Sequence, residues 1–71
     1  DGWTPLLCAS QQGHVPIVKE LISKGASVNK AEECGHTPLW EASCLGHLAV
    51  VKVLIAAGAS LDIQAETEVG W

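Results

Sequence analysis

The chain has 71 residues, with four lysines, no arginine and eight acidic residues, for a formal net charge of −4. Acids outnumber lysines in both parts (four to three over 1–33, four to one over 34–71), which excludes the basic stripe of a nucleic-acid binder or membrane-surface helix. The longest apolar run, 48–58, is interrupted by Lys52 and is far too short to span a bilayer.

A chain this short supports one small domain with a limited core. Its three cysteines, Cys8, Cys34 and Cys44, cannot all pair within the chain and include no Cys-x-x-Cys, so reduced thiols and a cytoplasmic or nuclear setting are expected. No signal peptide is visible. A start at Asp1, without an initiator Met, reads as an excerpt of something longer.

In chain order, Thr4-Pro5 is the first helix start: the Thr hydroxyl can cap a free N–H, and proline is pre-set for the first helical position. Gly13 supplies the left-handed residue that ends this short helix. A second helix follows, with Pro16 tolerated in its first turn and Val18, Leu21 and Ile22 on one face. Gly25 closes it. The polar segment 26–34 reads as a turn or loose hairpin, with Glu32 and Glu33 as solvated acids.

Gly35-His36-Thr37-Pro38-Leu39-Trp40 then repeats Gly2-Trp3-Thr4-Pro5-Leu6-Leu7 after 33 residues. Pairing each residue i with i+33 gives sixteen identities in thirty-three pairs, and a fixed period of this size marks a stacked-repeat architecture. Thr37-Pro38 starts the third helix and Gly46 ends it. Val51, Leu54 and Ile55 line the fourth, and Gly58 closes it. Ala59-Ser60-Leu61-Asp62 matches Ala26-Ser27-Val28-Asn29, but the next marker, Gly70-Trp71, arrives two residues late. The organisation expected is therefore repeat 1 over 1–33, repeat 2 over 34–68 with a two-residue insertion within 63–69, and the start of a third copy over 69–71.

At these residues the chain resembles the ankyrin repeat. The family pattern of Gly-x-Thr-Pro-Leu, two small residues, Gly-His, a Val pair, a Leu pair and Gly-Ala is met by Gly2 to Asn29 and again by Gly35 to Asp62. The resemblance implies an all-α repeat solenoid of helix-turn-helix repeats joined by hairpin-like loops. The small residues Ala9, Ser10, Ala42 and Ser43 would let neighbouring first helices approach closely. Two departures stand out: the His expected after Thr-Pro-Leu is Leu7 in one copy and Trp40 in the other. Trp40 is expected to be largely buried at the repeat junction. Because each repeat covers one face of its neighbour, two copies without polar caps should leave apolar flanks that further ankyrin repeats would cover.

The function implied is a protein–protein interaction module or scaffold, a slice of a longer array binding a protein partner through its loop tips and first helices. Carried over residue by residue, that face comprises Trp3, Gln11, Gln12, Glu33, Cys34, His36, Cys44 and Leu45, continued by Glu68, Val69 and Trp71. The alternative is a structural spacer with no binding of its own. Cys34, His36, Cys44 and His47 are zinc-ligand types, but the repeat register explains His47 as the partner of His14, and two rigid elements disfavour convergence of the four. No Cys-His pair here has an orienting third group, and no phosphate loop or His-Glu-x-x-His is present, so neither enzyme, metal nor cofactor is expected. Asn29, eight residues after Leu21, resembles targets of an asparaginyl hydroxylase, although Ser27 stands where an acid is usual.

Overall fold

The computed structural model describes residues 2–60. The insertion expected within 63–69, the third copy and the stripe residues Glu68, Val69 and Trp71 lie outside the described residues. Four helices follow one another: α1 (Pro5–Gln12), α2 (Val15–Ser23), α3 (Pro38–Cys44) and α4 (Leu48–Ala56).

The helix starts have a local cause. Thr4 Oγ1 accepts from the Leu7 N–H at 3.1 Å and Thr37 Oγ1 from the Trp40 N–H at 3.2 Å, with a proline immediately after each cap. Such a cap contributes about 1 kcal/mol. The ends are equally local. Gly13, at φ 75°, and Gly46, at φ 76°, adopt the left-handed conformation. This lets the His14 N–H reach back to the Ala9 carbonyl at 3.1 Å, and the His47 N–H to that of Ala42 at 2.9 Å. Carbonyls in the last turns of α1 and α3 are satisfied in this way.

Helix α1 packs on α2 and α3 on α4 within the two copies; α1 packs on α3 and α2 on α4 between them. One core results, made by Leu6, Ala9, Val18, Leu39, Ala42, Val50, Leu54 and Ala59. Ala9, Ser10 and Ala42 are buried, as expected of small residues between first helices, while Ser43 is exposed.

The second helices depart from the sequence expectation. Val18 is fully buried and Leu21 and Ile22 pack partly against the core. In α4, Leu54 is buried and Val51 partly so, but Ile55 is 45% exposed and Val50, not among the residues expected on this face, is fully buried. The cause is translation along the stack. Helix α4 packs on α2 and its Val50 is fully buried, whereas Ile17, the equivalent one period earlier, is 50% exposed. Ile22 packs partly against the core, whereas its equivalent Ile55, on the last helix described, is 45% exposed.

Candidate functional site

The loop between the copies folds back toward α3. Lys30 donates its N–H to the Ser27 carbonyl at 3.4 Å, Gly35 donates to that of Glu32 at 2.8 Å, and Glu32 donates to that of His36 at 3.1 Å. This tight hairpin-like turn carries the sequence-predicted residues Glu33, Cys34 and His36. Glu33 and Cys34 are exposed. Trp3, preceding α1, is 38% exposed; Gln11 and Gln12 at the end of α1, and Cys44 and Leu45 at the end of α3, are exposed. All three cysteines are at the surface.

His36 is placed differently from the exposed position expected. Its side chain is only 25% exposed, with Nδ1 lying 3.3 Å from Glu32 Oε2 and 3.9 Å from Glu41 Oε2. Its ring stacks on Trp40 with centroids 3.6 Å apart and an angle of 4° between planes. Trp40, expected to be largely buried, is only partly exposed. Leu7 is fully buried at the equivalent position of the first copy, whereas the wider indole of Trp40 has the imidazole stacked on one face. Glu32 is likewise buried rather than solvated, because its Oε1 accepts from the Cys34 N–H inside the turn. Glu33, its neighbour, is exposed as expected.

Glu41, which the sequence did not single out, completes the group from the first turn of α3. Burial holds its carboxyl above the ordinary carboxylate range; the nearby Glu32 charge raises it further and His36 opposes the rise. An acid set between the apolar and small residues of Pro38–Ala42, five residues after a histidine, was the available signal.

The zinc-type residues Cys34, His36, Cys44 and His47 are drawn in different directions. His36 faces the two glutamates, whereas His47 crosses to the first copy, where its Nε2–H donates to the Gln11 carbonyl at 2.8 Å. Its ring lies against Gly13, so that a Cβ there would stand 2.9 Å from Nδ1. A second tie runs through Asn29, whose Oδ1 accepts from the Ser60 N–H at 2.7 Å. His14 Nε2 lies 3.1 Å from Gln12 Oε1 within its own copy.

The family model described as ankyrin repeats (3 copies) matches residues 1–65. The chain belongs to the ankyrin-repeat family. No match was found among curated proteins. Ankyrin repeats are generally protein–protein interaction modules and are typically non-enzymatic. Among the described residues no helix is long and apolar enough to cross a membrane. The ankyrin register accounts for His47 as the equivalent of His14 and for Asn29 as that of Asp62. It does not require the Glu32, His36 and Glu41 group: Trp3, Leu7 and Cys8 stand at the first-copy positions of His36, Trp40 and Glu41.

Proposed function

We infer that this ankyrin segment binds a protein partner along the hairpin turn and the C-terminal ends of its first helices. One observation supports this reading: α1 packs on α3, and Gln11, Gln12, Cys44 and Leu45 at the C-terminal ends of these helices are all exposed, Leu45 at 52%. An exposed apolar side chain flanked by polar ones is suited to a protein contact, and Trp3 adds an exposed aromatic of the kind that often dominates such contacts. Glu33 and Cys34 extend the face along the turn; His36, being turned inward, contributes only its margin.

The acidic composition and the absence of arginine favour a protein over a nucleic acid as partner. The segment acts by binding and not by catalysis. Surface cysteines suit a reducing compartment, the cytoplasm or nucleus. Asn29 is a candidate hydroxylation site on the exposed turn, and intact-mass measurement of protein from its native cell tests it by a gain of one oxygen.

The binding test uses the immobilised 71-residue chain, mass spectrometry of the proteins retained, and affinity measurements for the strongest of these. Trp3→Ala and Leu45→Ala are each expected to weaken binding about tenfold or more. Unchanged affinity across alanine substitutions at Trp3, Glu33 and Leu45 rejects this face. Retention of no protein favours the spacer role.

A further inference from the structure

The group on the inner side of the hairpin turn has the chemistry and geometry of a cation site. We propose that Glu32, His36 and Glu41 form a binding site for a divalent transition metal, Zn²⁺ by its ligand set. Each residue offers one ligand atom, and the three atoms lie within 4.8 Å of one another. Bonds of about 2.0 Å in a tetrahedral zinc site place neighbouring ligand atoms about 3.3 Å apart. The pair Glu32 Oε2 and His36 Nδ1 stands at 3.3 Å, and the pair His36 Nδ1 and Glu41 Oε2 at 3.9 Å. Closing the site means shortening the His36–Glu41 pair by about 0.6 Å and drawing together the two carboxylates, whose ligand atoms lie within 4.8 Å.

The surroundings are those of a held ligand set. Glu32 spends Oε1 on the Cys34 N–H, which fixes the carboxylate and leaves Oε2 directed at the imidazole. Hydrogen bonds of this kind orient metal-binding carboxylates. The stacked Trp40 indole sets the plane of the His36 ring. Glu41 is the second indication: its side chain is only 8% exposed and aimed into the group, where its partner among the described residues, His36 Nδ1, lies beyond hydrogen-bond distance at 3.9 Å. Two carboxylates brought together away from water repel, and a doubly charged cation offsets both charges at once. Burial, with the Glu32 charge added to it, holds the Glu41 carboxyl above its ordinary range.

One imidazole nitrogen with two carboxylate oxygens favours zinc over magnesium or calcium, which prefer oxygen alone. Three protein ligands leave a fourth position for water. The bound ion would tie the hairpin turn to α3, stiffening the edge of the interaction face.

The test is a chelator-buffered Zn²⁺ titration of the full 71-residue chain, in a Cys8→Ser/Cys34→Ser/Cys44→Ser background that removes competing thiols. Calorimetry gives stoichiometry and affinity. Emission from Trp40, made the sole indole by Trp3→Phe and Trp71→Phe, reports on the stacked ring. One ion per chain, a change in Trp40 emission and a loss of affinity of at least about tenfold in both Glu41→Gln and His36→Gln support the site. Glu33→Gln, at the exposed neighbouring acid, is expected to leave affinity unchanged, and circular dichroism checks that each variant keeps its helices. Absence of saturable binding in the cysteine-free chain overturns the proposal. So does binding that survives either ligand substitution in a folded protein. If either ligand variant loses its helices, competition in the cysteine-free chain decides: displacement of Co²⁺, with d–d bands of a nitrogen–oxygen site, supports the proposal, and bands of any other ligand set overturn it.

Discussion

Gly13 and Gly46 hold equivalent places and nearly the same backbone angle, φ 75° and 76°, yet only Gly13 is pressed by a neighbour. An alanine at either position must adopt a left-handed conformation, at a cost of roughly 1–2 kcal/mol before the smaller gain from a stiffer unfolded chain. At Gly46 that is the whole effect, since among the described residues a Cβ there would meet nothing within 4 Å. At Gly13 the new Cβ would fall 2.9 Å from His47 Nδ1, closer than atoms in contact allow. The ring must move, and its 2.8 Å bond to the Gln11 carbonyl is lost. A hydrogen bond of this type is worth about 0.5–1.5 kcal/mol. Gly13→Ala is therefore expected to exceed Gly46→Ala in destabilisation by about 1 kcal/mol, measured from urea unfolding midpoints with unchanged slopes. The excess should vanish in a His47→Ala background, as a double-mutant cycle isolates the coupling. Equal destabilisation by the two substitutions, or an excess that persists without His47, refutes the argument that this imidazole ties the repeats together.

Three further outcomes follow from the packing. Ser10 is fully buried and its hydroxyl has no hydrogen-bond partner among the described residues, so Ser10→Ala is expected to be neutral or to stabilise by up to about 1 kcal/mol in the same assay; a loss of stability would show that the hydroxyl has a partner in solution. Glu41 has its folded pKa raised above the usual 4.5, so the folded state binds its proton more tightly than the unfolded state does. Its contribution to stability is full below that value and is lost as pH rises through the raised one. In chelator-treated buffer Glu41→Gln should therefore gain on the parent chain as pH climbs from about 4 to 7, and parallel stability curves across that range would contradict the burial argument. Finally, Ile17 and Ile55 expose apolar surface on opposite flanks of the stack, and Ile17→Glu with Ile55→Glu is expected to reduce concentration-dependent association in sedimentation velocity. Identical sedimentation of parent and variant would mean that these flanks do not mediate association.

Much of the fold is legible in the residues because its signals are local. A threonine caps an N–H three residues away, a proline suits the position beside it, and a glycine turns the chain at the next boundary; all of these lie within one turn of helix. Repetition at 33 residues then declares that such units stack, and the ankyrin resemblance follows from the same positions. The exposed members of the proposed face, Trp3, Gln11, Gln12, Glu33, Cys34, Cys44 and Leu45, are also located by register alone, since register fixes the place of a residue on its repeat.

Register does not fix what lies beside that repeat. Ile17 and Val50 are equivalent in sequence, yet only Val50 is covered; Ile22 and Ile55 are identical residues with different neighbours. Burial in a stack belongs to the junction between units, and a periodic sequence describes every junction alike. The same distinction separates His36 and Trp40 from their first-copy counterparts. The hairpin turn brings Glu32 and His36 against Glu41 on the following helix, a meeting that neither helical nor strand periodicity encodes. The sequence by itself determined the repeat and its helix boundaries. The tertiary structure alone decided that two glutamates and a histidine share one partly dry pocket, because only the folded-back loop and the packed helices remove those charges from water together.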